Sequence, residues 1–173
     1  MKIEENVIRE AISSTTHRAV TRISEDVIDL LEDALNRETN TTARSMLTAM
    51  LDNLEIAKSR DKAVCQSPGY PTSWVSFGEA ELPQNISGMI MDSLGEATRK
   101  GYLRPSFVDP LTRVNSGNNT GIGVPNIELE FIPGQHFIDY IISFKGCGAE
   151  LGNAMQILTP AKLGSDLKGL KRF

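Results

Sequence analysis

The chain changes character at Cys65-Gln66-Ser67-Pro68-Gly69. The residues before this stretch have the apolar spacing of helices, whereas Ser73–Phe77, just after it, alternates as a strand does. Pro68 presets a turn, and Gly69 can adopt a positive φ. A cysteine held by such a turn at the end of a rigid element is a candidate nucleophile or metal ligand. The stretch therefore predicts both a mixed fold and a functional site.

The composition is typical of a cytoplasmic globular domain. The chain has 173 residues, 40% hydrophobic and 23% charged, which is enough to bury a core. Its net charge of −4 argues against nucleic acid or an anionic membrane as a partner. We find no apolar run of the roughly 18 residues that a membrane span needs, and the acidic N-terminus does not resemble a signal peptide. Two cysteines favour a reducing compartment.

Three helices are predicted before the turn, over residues 2–20, 25–37 and 43–60. The second begins after a hydroxyl cap at Ser24. The third has Met46 and Met50 in its apolar stripe, which we expect to belong to the core. Residues 1–60 are therefore interpreted as a helical part without chemistry. Residues 61–173 form an α+β part with the site loops, and both belong to one domain.

The second part is predicted to contain a helix over residues 84–100 and two further strands. The strands are Asn126–Pro133 and His136–Phe144, and the turn at Gly134 favours pairing them as an antiparallel hairpin. The predicted fold class is α+β. N-terminal helices pack on a small, mainly antiparallel or mixed sheet with glycine-rich site loops.

The segment from 101 to 125 has no clear helical or strand pattern. A structureless stretch of this length is usually functional or disordered. One interpretation is carboxylate capture, since a guanidinium binds a carboxylate through two parallel hydrogen bonds. The other is a solvated loop whose polar residues satisfy its own turns. The polar residues concerned are Arg104, Arg113, Asn115, Asn118, Asn119 and Thr120.

A second glycine-rich turn, Lys145-Gly146-Cys147-Gly148, follows the last predicted strand, and residues 149–158 could form a helix. A strand, a glycine loop and a helix N-terminus together present backbone N–H groups to an anion. The sequence has no Walker motif, and the glycine spacing does not fit a dinucleotide fingerprint, so a carboxylate is favoured. We expect the two cysteine turns to form one site.

The two cysteines allow several chemistries. A zinc site lacks a fourth ligand and a familiar spacing. A cysteine hydrolase needs a histidine base, but His17 and His136 are better interpreted as surface residues. A disulfide between Cys65 and Cys147 is unexpected in a reducing compartment. An iron–sulfur cluster needs three or four thiolates, so it would require ligands from elsewhere.

Four stretches agree, in order and at similar spacing, with the motifs of one family. They resemble its Cys-Gln-Asp-Thr-Gly motif, its arginine-bearing loop, its Asn-Thr-Gly-x-Asn-Thr segment and its Lys-Gly-Gly-Gly-Ser-Glu loop. The four stretches are Ala63–Gly69, Leu103–Arg113, Asn115–Glu128 and Lys145–Glu150. The family is the class I, iron–sulfur-dependent fumarate hydratases and L(+)-tartrate dehydratases, in their alpha subunit or N-terminal region.

This resemblance implies an alpha-type component of a hydro-lyase acting on a small dicarboxylate of the fumarate/malate or tartrate class. It implies a [4Fe–4S] cluster with Cys65 as one ligand and the remaining ligands outside this chain. Gln66, Arg104, Gly146 and Gly148 match the substrate pocket, and no catalytic residue is assigned. The implied partner is a beta-type subunit or C-terminal domain, in a homo- or hetero-oligomer.

The chain departs from the family pattern at three positions. Ser67 and Pro68 stand where the motif has Asp-Thr, and Cys147 replaces the middle glycine of the triple-glycine loop. One alternative is therefore a non-catalytic subunit or assembly module without a complete cluster site. Another is a dicarboxylate-binding protein that uses no iron. Cys147 could also replace a missing cluster ligand.

Overall fold

The computed structural model describes residues 2–146, 148 and 155–164. The helices and strands predicted before residue 147 are present, with boundaries shifted by a few residues. Of the helix considered over 149–158, residues 149–154 lie outside the described residues, and 155–158 are not helical. The elements are α1 (Glu5–Thr21), α2 (Glu25–Arg37), α3 (Thr41–Arg60), β1 (Tyr70–Phe77), α4 (Ile86–Arg99), β2 (Asn126–Phe131), β3 (Asp139–Lys145) and α5 (Pro160–Leu163).

The strands form one mixed sheet in the order β2-β1-β3. β1 is parallel to β2 and antiparallel to β3. The predicted α+β class is confirmed, but the predicted hairpin of β2 with β3 is wrong, because β1 lies between them. The connection after β2 crosses the end of β1, where Glu79 N–H donates to Gln135 O at 2.7 Å. It thereby delivers β3 to the far side of β1.

The core lies between one face of this sheet and two helices. Along β1, Pro71, Ser73 and Val75 are buried, and the alternate residues are more exposed. α1 packs against α4 and β3, which joins the helical N-terminal part to the sheet. The core residues are Ile8, Ile12, Val20, Val75, Ile86, Met89, Ile90, Leu94, Ala97 and Leu103.

α2 and α3 pack against each other as a helical hairpin. Asn40 caps α3, because its Oδ1 accepts from the N–H groups of Thr42 and Ala43. The prediction that the methionine stripe of α3 belongs to the core is wrong: Met46 and Met50 are 61% and 52% exposed. An amphipathic pattern shows only that one face is apolar, and neither the sheet nor α1 covers this face.

None of the helices in the described ranges is both long and apolar enough to cross a membrane.

Candidate functional site

Gly69 brings the two glycine-rich turns together. A Cβ placed on Gly69 would overlap the carbonyl of Lys145 and lie 2.8 Å from the backbone nitrogen of Gly146. Gly69 and Gly146 have φ of 112° and 111°, a region that favours glycine. Tyr70 pairs with Lys145 where β1 begins and β3 ends. The turns that carry the two cysteines therefore adjoin at one end of the sheet. Cys147 itself lies outside the described residues.

Cys65 is exposed, and its thiol is free. The backbone N–H and C=O of the preceding residue, Val64, are both hydrogen-bonded. Val64 N–H donates to Val20 O at 2.9 Å, and Val64 O accepts from Asn53 Nδ2 at 3.1 Å. The turn is thus anchored to the end of α1 and to Asn53 within α3, and Cys65 itself is exposed. Within the described residues, Cys65 belongs to no group of three or more metal-ligating side chains, so it could supply one ligand to a site completed from elsewhere.

Gln66 ties the cysteine turn to the segment that follows α4. Its backbone O accepts from Arg104 N–H at 2.8 Å, and its Nε2 donates to Gly101 O at 2.8 Å. Arg104 is exposed, and its guanidinium has no hydrogen-bond or ion-pair partner in the part of the chain that the structure describes. A fixed backbone with an unpaired guanidinium suits the capture of an anion.

Asn119 holds the Arg104 loop in place. The residue is 8% exposed with φ of 58°. Its Oδ1 accepts from Ser106 N–H at 3.0 Å and Phe107 N–H at 3.2 Å. Its Nδ2 donates to Thr98 Oγ1 on α4 and to Arg104 O. The amide thereby uses all four of its hydrogen-bonding positions, and it connects the Arg104 loop to α4.

For the amide residues, the structure favours the second interpretation of the loop. Asn115 donates to Pro105 O and accepts from Gly117 N–H. Asn118 Oδ1 accepts from the N–H and the hydroxyl of Thr120. The sequence allowed these amides either to bind a carboxylate or to satisfy the loop, and most of their polar atoms do the latter. Composition alone could not separate the roles, because both require the same side chains.

Replacing Asn119 with alanine is expected to lower the free energy of unfolding by about 3 kcal/mol. The change leaves two backbone N–H groups without a partner and removes two further hydrogen bonds, each of which contributes about 1 kcal/mol. Urea unfolding measures the effect. Asn115→Ala is the matched control, since Asn115 is exposed and should cost less than about 1 kcal/mol. Equal losses in the two variants would contradict the role of Asn119.

Position 146 requires glycine, whereas position 148 does not. Gly146 needs it, since its φ is 111°. Gly148 is exposed, and a Cβ there would meet nothing within 4 Å. The structure therefore gives no steric reason for glycine at position 148.

A cluster of His17, Asp61 and Tyr102 connects α1, the end of α3 and the Arg104 segment. Tyr102 Oη donates to Asp61 Oδ2 at 2.8 Å, and His17 Nε2 lies 3.1 Å from Asp61 Oδ1. The hydrogen bond from Tyr102 lowers the pKa of Asp61, and the charges of His17 and Arg22 lower it further. His17 thus has a structural partner, while His136 is exposed in the loop before β3.

Replacing Tyr102 with phenylalanine is expected to raise the pKa of Asp61 towards its ordinary value of 3.8. A depressed carboxyl pKa stabilises the fold above the unfolded value, and this stabilisation is lost as pH falls through the folded pKa. In the variant this loss of stability should therefore be smaller, and it should be complete at a higher pH. NMR titration of the Asp61 carboxyl carbon measures the shift. Asp109 is the control, because its lowered pKa depends on Thr112. An unchanged Asp61 titration would contradict the assignment of the lowered pKa to the Tyr102 hydrogen bond.

Comparison with known proteins shows the family of the chain. The family model described as fumarate hydratase (Fumerase) matches residues 9–173. The chain is 30% identical over 170 residues to a putative L(+)-tartrate dehydratase subunit alpha of Methanocaldococcus jannaschii, covering 96% of this chain and 59% of that protein. It is 28% identical over 158 residues to the L(+)-tartrate dehydratase subunit alpha of Escherichia coli K12, covering 91% of this chain and 52% of that protein.

The chain therefore spans only about half to three-fifths of the length of these relatives. The family match extends over both cysteine turns and the Arg104 loop. The chain belongs to the fumarate hydratase (Fumerase) family.

Proposed function

We propose that the chain is the alpha-type component of an iron–sulfur hydro-lyase that reversibly adds water to, or removes water from, a small dicarboxylate. The substrate class is fumarate/malate or tartrate. One observation carries the proposal: the backbone of Arg104, whose guanidinium is unpaired among the described residues, is bonded to the cysteine turn through Arg104 N–H and Gln66 O at 2.8 Å. The family match and the names of the relatives support it.

Cys65 is proposed as one ligand of a [4Fe–4S] cluster. Its free, exposed thiol on an anchored turn suits a cluster approached from outside the chain. The remaining thiolates are expected from another chain or domain. When bound, the cluster would supply a Lewis acid that polarises a hydroxyl or carboxylate of the substrate.

Substrate binding is assigned to Gln66, Arg104, Gly146 and Gly148. Arg104 would take one carboxylate through two parallel hydrogen bonds. The backbone N–H groups of the loop at Gly146 and Gly148 would donate to the other carboxylate, because successive amides in such a turn form an anion-binding concavity. Gln66 Oε1 would accept from a substrate hydroxyl, since its Nε2 already donates to Gly101 O.

The proposed partner is a beta-type subunit or C-terminal domain, within a homo- or hetero-oligomer. It would supply the missing thiolates and the acid–base groups. We place the enzyme in the cytoplasm, because a free Cys65 thiol persists in a reducing compartment. We also propose that residues 1–60 and 61–173 form a single domain, supported by the packing of α1 on α4 and β3.

Replacing Arg104 with alanine is expected to raise the KM for the dicarboxylate on the order of tenfold to hundredfold, the effect of losing a charged hydrogen-bonding pair. The assay uses the chain reconstituted anaerobically with its partner, with fumarate, malate and tartrate as substrates. Arg99→Ala is the control, because Arg99 is an exposed arginine at the end of α4. An unchanged KM for the Arg104 variant, or no turnover by the wild type, would count against the proposal.

A second candidate function is a non-catalytic assembly module. Ser67 and Pro68 favour it, since they replace the Asp-Thr of the family motif. This reading predicts a stable complex with the partner and no turnover of any of the three acids.

A further inference from the structure

Strand β2 forms one edge of the sheet, and the backbone groups on its outer side have no strand partner in the described ranges. The order β2-β1-β3 leaves β2 paired only with β1 within the described ranges. Ile132 N–H donates to Phe77 O on β1. Backbone groups point to alternate sides along a strand, so those of Leu129 and Phe131 point to the open edge. An open edge of this kind is a template for another strand.

The inner face of β2, which continues the core side of β1, is apolar and mostly exposed. Leu129 pairs with Val75, and Phe131 pairs with Phe77, so both side chains continue the inner face of β1. Val75 is 1% exposed, whereas Leu129 and Phe131 are 52% and 61% exposed. The core therefore reaches Ile127 at the start of β2, but it leaves Leu129 and Phe131 largely uncovered.

The outer face of β2 is acidic. Glu128 and Glu130 alternate with the apolar residues, and Glu128 accepts from Trp74 Nε1 at 3.1 Å. Glu130 has no ion pair in the described part of the chain. Two copies joined through β2 would bring these carboxylates together, and like charges on paired strands are destabilising. The charge therefore disfavours a second copy and favours a basic partner.

We propose that β2 is a strand-addition site for a separate partner protein. The partner strand places apolar residues beside Leu129 and Phe131 and lysine or arginine beside Glu128 and Glu130. Main-chain hydrogen bonds at the open edge supply affinity. The apolar face and the acidic face of β2 select a strand in which apolar and basic residues alternate. The site lies on the edge strand and does not depend on the hydro-lyase proposal.

A fluorescent peptide of four Lys-Val repeats tests this site by anisotropy. The same peptide with every amide N-methylated keeps its charge and side chains but cannot donate, so its binding should be about tenfold weaker or worse. On the protein side, the double variant Glu128→Lys/Glu130→Lys should also bind about tenfold more weakly. The matched control is Asp29→Lys/Glu32→Lys, which makes the same charge change at exposed positions on α2 and should bind like wild type.

Three results would overturn the proposal. The first is equal binding of the methylated and unmethylated peptides. The second is an equal loss in both double variants, which would show general charge attraction. The third is a dimer of the isolated chain in sedimentation that Leu129→Asp converts to monomer, which would make a second copy the occupant. The peptide comparison uses the native chain, so it holds even if a variant fails to fold.

Discussion

Replacing Gly69 with alanine is expected to lower the free energy of unfolding by about 3 kcal/mol or more and to separate the two glycine-rich turns. The new Cβ would overlap the Lys145 carbonyl and crowd the backbone nitrogen of Gly146. Both obstacles are backbone atoms at the first paired position of β1 and β3, so they cannot move without breaking the sheet. The φ of 112° adds strain that only glycine avoids.

Gly134→Ala is the matched control for the Gly69 variant. Gly134 has φ of 81°, but a Cβ there would meet nothing within 4 Å. Its alanine variant should therefore show only the conformational cost of about 1 kcal/mol. Urea unfolding followed by the fluorescence of Trp74, which lies in β1, measures both. Equal losses at the two positions would show that the close approach of the turns is not required.

The local elements could be predicted from the sequence because each has its own period. The helices and the strand after the cysteine turn follow 3.6-residue and two-residue patterns. The order of strands could not be predicted in this way. Alternation in β2 and β3 indicates two strands, but it does not show that β1 separates them. That outcome depends on how the 132–138 connection is fixed to the end of β1 at Glu79 and Gln135.

The candidate site was predictable only in part. The glycines at 69 and 146 indicated tight turns, but no local pattern shows that these turns touch. The structural role of Asn119 could not be separated from a ligand-binding role. The sequence does not show that its amide bonds to Ser106, Phe107 and Thr98. Similarly, the apolar stripe of α3 indicated a buried face, but the described residues do not cover Met46 and Met50.

Cys65→Ser is expected to abolish cluster assembly while leaving the fold intact. A serine hydroxyl is a poor ligand for iron in such clusters, because the cluster binds thiolates. The substitution is nearly isosteric and exposed, so the unfolding free energy should change by less than about 0.5 kcal/mol. The loss of iron would then reflect ligation and not unfolding.

Cys147→Ala is the control variant for the loss of Cys65. It removes the only other cysteine of the chain, and full cluster content is expected if the remaining ligands come from the partner. Loss of the cluster in the Cys147 variant would instead make Cys147 a replacement ligand.

The most direct test is iron and sulfide analysis after anaerobic reconstitution of the chain with its beta-type subunit or C-terminal domain. We predict about four iron and about four sulfide per copy of this chain for the wild type, the content of one [4Fe–4S] cluster, and little of either for Cys65→Ser. Full iron and sulfide in the Cys65→Ser complex would contradict the assignment of the cysteine turn.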